Sequence, residues 1–167
     1  MSSTNSTLDR AFRHLAWANQ EVFAALLKMP ESTLALRLHP DHYSVGQLVE
    51  HIAGSSGFYA WRLDGLGEDP QYPAATTHAD VAKFKEMLVG FDERLRVEAQ
   101  KSDEAISYIR EGKTVSRMRS TIVIQAIHHA TEHRAQIAAI LTANNVTGID
   151  LDELDVWALG DAEGKGE

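Results

Sequence analysis

The sequence predicts an all-α protein, a four-helix bundle with a small hairpin or extended excursion before the last long helix. Three observations carry this. Four segments of helical length place apolar residues at three- and four-residue steps. Clusters of Pro, Gly and Asn separate them. The chain, 167 residues and 44% hydrophobic, is long enough to bury a core without disulfides or other staples. Four amphipathic helices in one domain pack most simply as a bundle.

The first helix runs from about Leu8 to Lys28, ahead of Pro30. Ser6-Thr-Leu-Asp9 has the form of a capping box. Its stripe is Leu8, Phe12, Leu15, Val22 and Leu26, with a gap at Asn19. A loop over 30–43 contains Pro30 and Pro40. Ser44, with Gln47 at the capping-box position, opens the second helix, which runs to about Leu63 on a stripe of Val45, Leu48, Ile52, Tyr59 and Leu63. Gly65, Gly67, Pro70 and Pro73 form the next loop. Thr77 with Asp80 caps a third helix whose inward positions are Phe84, Leu88, Phe91 and Leu95. Residues 105–116 hold two β-prone runs around Glu111-Gly112, which reads as a hairpin. The fourth helix, from about Ser120 to Ala143, is about 36 Å long at 1.5 Å per residue. Asn144-Asn145 and Gly148 end it. A short helix is expected over 151–159, with Leu151, Leu154 and Trp157 docking as a lid. No internal repeat or linker divides the chain, so residues 1–167 read as one domain with an acidic end over 150–167.

Charge narrows the partners. The net formal charge is −8. Residues 150–167 hold seven acids and one lysine, so the rest of the chain is almost neutral. A nucleic-acid or anionic-membrane partner needs a basic face, and none is visible. No apolar run approaches the ~20 residues that span a bilayer. The polar start Met1–Thr7 lacks the apolar core of a signal peptide. Cysteine is absent, which excludes thiolate ligands and a cysteine nucleophile and suits a reducing, cytoplasmic setting.

Chemistry concentrates on the fourth helix. At about 100° per residue, its inward stripe reads Ile122, Gln125, Ala126, His129, His133, Gln136 and Ile140, polar at its middle. Buried polar groups without partners cost on the order of 1–3 kcal/mol each, so this cluster needs an organising reason. His129 and His133, spaced i, i+4, can reach one metal ion. The spacing alone says little, since chance gives about 0.3 such pairs among eight histidines; its place on the core stripe adds the weight. On the second helix His51 faces inward or nearly so. Three histidines and an open position are the pattern of a catalytic zinc-type site, and imidazoles suit Zn, Ni, Cu and Fe. Gln125 and Gln136 are candidates to hydrogen-bond the ligands. Arg134, about 140° from His129, lies off the stripe and is expected to form an ion pair with a neighbouring helix, not to take part in catalysis.

These residues resemble a known family. His129-Ala-Thr-Glu-His-Arg-Ala-Gln-Ile137 is similar to the H-x-x-x-H-R-G-Q-I signature of the DinB/YfiT-like metalloproteins, Leu48-Val-Glu-His51-Ile-Ala to its first-ligand segment, and Trp17-Ala-Asn19 to its N-terminal pattern. The resemblance covers about residues 8–157. It implies a four-helix bundle, a divalent metal on His51, His129 and His133, often a homodimer, and activities that include thiol S-transfer and mycothiol-dependent isomerisation. Ala135 stands where the family has Gly, a departure that removes no ligand. The metal expected is Zn or Ni, the substrate a small molecule, and the cosubstrate a low-molecular-weight thiol.

Other readings compete. His129-Ala-Thr-Glu132-His133 is also H-x-x-E-H, in which Glu132 would be the general base of a metalloprotease. Only 34 residues follow His133, too few to build a peptide cleft, but Glu132 remains a candidate base for a metal-dependent hydrolase. Gly54-Ser-Ser-Gly57 lies inside a helix and lacks the spacing of a serine nucleophile elbow. A non-catalytic metal-binding or dimerisation module is the third reading. The other histidines read as bystanders: His39 and His42 solvated in a loop, His14 outward, His78 in a cap, His128 at the rim or in a dimer contact. Trp17, Trp61 and Trp157 read as packing anchors, and Tyr59 as core or pocket mouth.

Overall fold

The computed structural model describes residues 6–69 and 71–164, and of Arg110 the backbone alone. Pro70 and the last three residues of the acidic end fall outside this range. Four long helices form the bundle: α1 (Ser6–Leu26), α2 (Val45–Asp64), α3 (His78–Glu98) and α4 (Arg119–Ala143). A hairpin, β1 (Ala105–Arg110) and β2 (Lys113–Met118), precedes α4, and a short α5 (Val156–Ala162) follows it. Two single 3₁₀ turns, Glu31–Ala35 and Asp152–Leu154, punctuate the loops. No described helix is long and apolar enough to cross a membrane.

The expected caps form at α2 and α3. Ser44 and Gln47 make a reciprocal capping box, with Gln47 N–H donating to Ser44 Oγ at 3.2 Å and Ser44 N–H to Gln47 Oε1 at 2.8 Å. Thr77 and Asp80 repeat it on α3. At α1 the helix already includes Ser6, so the residue that would cap it lies outside the described range. The hairpin is real: Arg110 pairs with Lys113 across a two-residue turn. Its residues Glu111 and Gly112 both take positive φ, 51° and 74°, as a tight right-twisted hairpin turn demands. Arg62 anchors it, its guanidinium lying 4.3 Å from the Trp61 ring and 4.2 Å from Tyr108 of β1.

The core comes in two apolar halves stacked along the bundle. One holds Phe12, Leu15, Ala60, Leu63, Leu95, Ile122, Val123, Ala126 and Ala130. The other holds Val22, Phe23, Leu48, Ile52, Leu88, Ile137 and Leu141 among others. Between them every long helix contributes a buried polar residue: Asn19, Ser56, Asp92 and Arg134.

That layer corrects the sequence reading of α4. Its buried residues are Arg119, Ile122, Val123, Ala126, Ala130, Arg134, Ile137, Ala138, Ile140 and Leu141, a stripe centred about 90° away from His129. His129 and His133 are half-buried on its flank, and Gln125 and Gln136 are exposed. Arg134 is 4% exposed, and the expected ion pair with a neighbouring helix is replaced by a hydrogen bond to Asn19 of α1, with no direct carboxylate partner among the described residues. Asn19, the gap in the α1 stripe, is fully buried. On α3 it is Asp92 that is buried, and Phe91 is only half-buried.

The C-terminal end docks on α1, and the lid differs from expectation. Leu154 packs against the core and Leu159 is buried. Trp157 is 82% exposed and Leu151 is also exposed, so Trp157 is no packing anchor. His14 is half-buried, not outward, because its Nε2 meets the Leu154 carbonyl at 2.7 Å. Trp17 and Trp61 are half-buried. His39, His42 and His128 are exposed, as expected, and His78 begins α3 with its Nε2 3.0 Å from the Met29 carbonyl.

Candidate metal centre

Two helices build the site. The Ser44 cap and Gly46 set the start of α2, where Gly46 lies so close to Ala75 that a Cβ would sit 1.9 Å from that residue's carbonyl oxygen. This fixes the helix end that carries His51. Two turns of α4 supply His129 and His133 from one flank.

The three imidazoles converge through one nitrogen each. His129 Nε2 lies 3.2 Å from His51 Nε2 and 3.1 Å from His133 Nε2. Nitrogens bound ~2.0–2.1 Å from a tetrahedral ion are themselves about 3.3 Å apart. Two of the three separations therefore match those of ligands on one ion, the ligand atoms of all three rings lie within 4.8 Å of one another, and the rings are the one group of three or more metal-ligating residues among those described. The donor set fits a divalent transition metal. Three neutral nitrogens leave at least one position open, and no carboxylate or thiolate joins them.

Their protonation suits that role. Burial, then the neighbouring His133, holds His51 below the ordinary imidazole range. Burial, then His133 and His51, pushes His129 down to about 4. Both are neutral bases at pH 7, the form that binds metal. Gln136 Oε1 lies 2.8 Å from His133 Nδ1. An acceptor there keeps the proton on Nδ1 and leaves the Nε2 lone pair facing the other two rings. So Gln136 contacts a ligand as expected, although from the exposed rim.

Gln125 does something else: it hydrogen-bonds Tyr59, whose phenol burial drives upward and this bond pulls back. The Tyr59 ring meets His129 edge-on at 5.7 Å between centroids. Glu132 is exposed on the same helix, and its charge raises the Tyr59 phenol further. Two neighbours went unread in the sequence. Tyr43 lies 5.4 Å from His51, ring to ring, and Ser55 Oγ lies 3.5 Å from His129 Nε2. Ser55 shares the wheel sector of His51, which is a usable signal; Tyr43 sits in a loop, which has no periodicity to read.

Behind the ligands runs the buried layer. Arg134 Nη1 donates to Asn19 Oδ1 at 2.7 Å, and Asn19 Nδ2 donates to Asp92 Oδ2 at 3.0 Å. Ser56 also hydrogen-bonds the Asp92 carboxyl. Burial drives Asp92 up to about 6 against these bonds, and drives Arg134 down to about 10 against the Asp92 charge.

Two cavities lie in different parts of the bundle. The larger, about 830 Å³, lies between α1, α3 and α5 and includes no triad member. The one beside the site, about 390 Å³, is lined by Leu38, His42, Tyr43, Leu48, Gln136 and Ile140 among others. Tyr43 and Gln136 border both it and the histidines.

The model of the DinB family matches residues 1–156. The crystal structure of a DinB-like protein from Bacillus cereus ATCC 10987 superposes with a TM-score of 0.66 at 18% identity, over 90% of this chain and 99% of that one. At that identity the likeness speaks for the fold. No curated protein matches the chain.

Proposed function

We propose a function from one established premise: this chain belongs to the DinB family. The protein is a metal-dependent enzyme whose ion, Zn or Ni, is held by His51, His129 and His133. One observation carries the reading: three imidazole nitrogens from two helices converge, that of His129 within 3.1–3.2 Å of the other two and the ligand atoms all within 4.8 Å of one another. A bound ion of this class supplies Lewis acidity, lowering the pKa of a water or thiol that occupies its open position.

The chain's own residues do the rest. Gln136 holds the proton of His133 on Nδ1. Tyr43 and Gln136 form the wall shared with the 390 Å³ cavity, where Leu38 and the Tyr43 ring offer apolar surface to a small substrate. The reaction favoured by the family resemblance is thiol S-transfer with a low-molecular-weight thiol of the cytoplasm, in a homodimer. Hydrolysis is the second reading, and Glu132, exposed on the ligand helix, is its candidate base.

Elemental analysis of untagged protein is the decisive test. Near-stoichiometric Zn or Ni in the wild type, and none in the His51→Ala, His129→Ala, His133→Ala triple variant, is expected. A wild type that stays empty after loading with excess Zn or Ni defeats the reading. A panel of thiols and electrophiles then separates the reactions: metal-dependent consumption of thiol supports transfer, and metal-dependent ester or amide cleavage lost in Glu132→Gln supports hydrolysis. Light scattering checks the dimer.

A further inference from the structure

We propose that Arg134, Asn19 and Asp92 are positioning residues for the metal centre: together they set the rotation of α4 about its own axis and so keep His129 and His133 facing His51. The inference rests on the metal site proposed above. It starts from where the polar layer lies. The four residues Asn19, Ser56, Asp92 and Arg134 come one from each long helix, and the layer falls between the two apolar halves of the core. Arg134 follows His133 directly in sequence, and Ser56 follows Ser55, whose Oγ lies 3.5 Å from His129 Nε2. The layer is thus level with the ligands and one side chain behind them.

The packing at that level is shallow. Between Val123 and Ile137 the buried residues of α4 are Ala126, Ala130 and Arg134, and between Ile52, which adjoins His51, and Leu63 those of α2 are Ala53, Gly54, Ser56, Gly57 and Ala60. Small side chains leave low ridges, which resist axial rotation weakly compared with interdigitated large ones. Arg134 is the one large side chain of α4 buried between Ala130 and Ile137. Its hold is directional: Nη1 donates to Asn19 at 2.7 Å and Nη2 to Thr131 Oγ1 at 3.1 Å. The Asn19 amide is suited to the middle place, since its oxygen accepts from the cation while its nitrogen donates to the Asp92 carboxylate. A direct Arg–Asp pair would tie α4 to α3 alone; the amide ties in α1, and Ser56 ties in α2.

The geometry makes rotation matter. An imidazole nitrogen stands roughly 8 Å from its helix axis, so a turn of about 7° moves it by about 1 Å. Metal–ligand distances tolerate about 0.2 Å. A buried charged layer is a poor device for stability alone, because apolar residues of similar volume often serve as well or better. Here it meets a need that apolar packing of alanines does not.

The test separates positioning from stability. The triple variant Arg134→Met, Asn19→Leu, Asp92→Leu replaces the layer with apolar side chains, and Leu88→Ala is a core-cavity control outside it. Zn²⁺ affinity is measured by competition with a chromogenic chelator, the visible spectrum is recorded with Co²⁺, and thermal unfolding is followed in parallel. The apolar triple variant is expected to unfold no earlier than wild type yet to bind Zn²⁺ about 10–100-fold more weakly with altered Co²⁺ bands. Leu88→Ala is expected to unfold earlier with affinity unchanged. Should the triple variant fail to fold, Arg134→Lys decides, since it keeps the charge but loses the planar fork. Affinity equal to wild type in the folded triple variant, or in Arg134→Lys in its place, overturns the proposal. So does affinity that simply follows unfolding temperature across the set. A wild type that binds neither Zn²⁺ nor Co²⁺ overturns the metal site itself and the inference with it.

Discussion

The two ring nitrogens of His133 are divided between two partners, and that division is what Gln136 enforces. Its oxygen sits 2.8 Å from Nδ1, so Gln136→Leu frees the tautomer and is expected to weaken Zn²⁺ binding about tenfold. Gln125→Leu, which touches Tyr59 and no ligand, should leave affinity within about threefold. Chelator competition reads both. The same rings fix a pH dependence. His51 and His129 lie below the ordinary imidazole range, His129 at about 4. Between the unfolded value of about 6.5 and 4, the unfolded chain binds more protons than the folded one. The metal-free protein therefore holds this contribution fully above pH 6.5 and loses it as pH falls toward 4. Denaturant midpoints at pH 7 and pH 5 should differ less in His51→Ala, His129→Ala than in wild type. The triad itself was legible as an i, i+4 pair plus one inward histidine. The buried Arg134 was not, because arginine is so seldom buried that its place on the wheel reads as surface.

An element is only as well placed as its ends, and α2 shows this at Gly46. A methyl there would meet the Ala75 carbonyl oxygen at 1.9 Å, and the Ala75 N–H donates back to Gly46 O at 3.0 Å. Gly46→Ala must push the first turn of α2 away from that strand of chain, at a cost of about 1–3 kcal/mol. His51, little more than one turn further on, shifts with it. Chemical denaturation should show the loss, and Zn²⁺ affinity should fall in the same variant. The caps and breakers that bound α2 and α3 could be read in advance because Ser44–Gln47 and Thr77–Asp80 state their own chemistry. The hairpin could be read from Glu111-Gly112. The phase of α4 could not. The middle of its inner face is built from Ala126, Ala130 and Arg134, and alanine marks a buried face no more strongly than an exposed one. The isoleucines at 122 and 140 then drew the stripe toward the histidines, which stand on its edge. The shape of the C-terminal end escaped for a related reason: Leu159, not Trp157, is the side chain that docks. Leu159→Ala should cost about 2 kcal/mol or more, while Trp157→Ser should stay within about 0.5 kcal/mol, both read from denaturant midpoints.

At the scale of the whole molecule, metal and fold share one free energy. The ligands come from α2 and α4, which are far apart in sequence, so the three nitrogens meet only in the folded bundle. An ion that binds the folded chain and not the unfolded one adds RT ln(1 + [M]/Kd), about 2.7 kcal/mol at a free concentration of 100 Kd. For a chain of this size 1 kcal/mol moves the unfolding temperature by about 2–4 °C, so loading at that concentration should raise it by about 5–11 °C. The His51→Ala, His129→Ala, His133→Ala variant should show no such rise, and the rise in wild type should shrink as pH falls toward 4, where protons compete for the His129 imidazole. The layer behind the ligands sharpens the expectation. If Asn19, Asp92 and Arg134 hold α4 in register before metal arrives, the ion meets a formed site, and little of its binding energy is spent on ordering the helices. The apolar-layer variant would then show a smaller thermal shift than wild type at equal free metal. Scanning calorimetry at fixed free Zn²⁺ measures all three proteins on one scale. A shift of equal size in the triple-histidine variant would place the stabilising ion somewhere other than this triad.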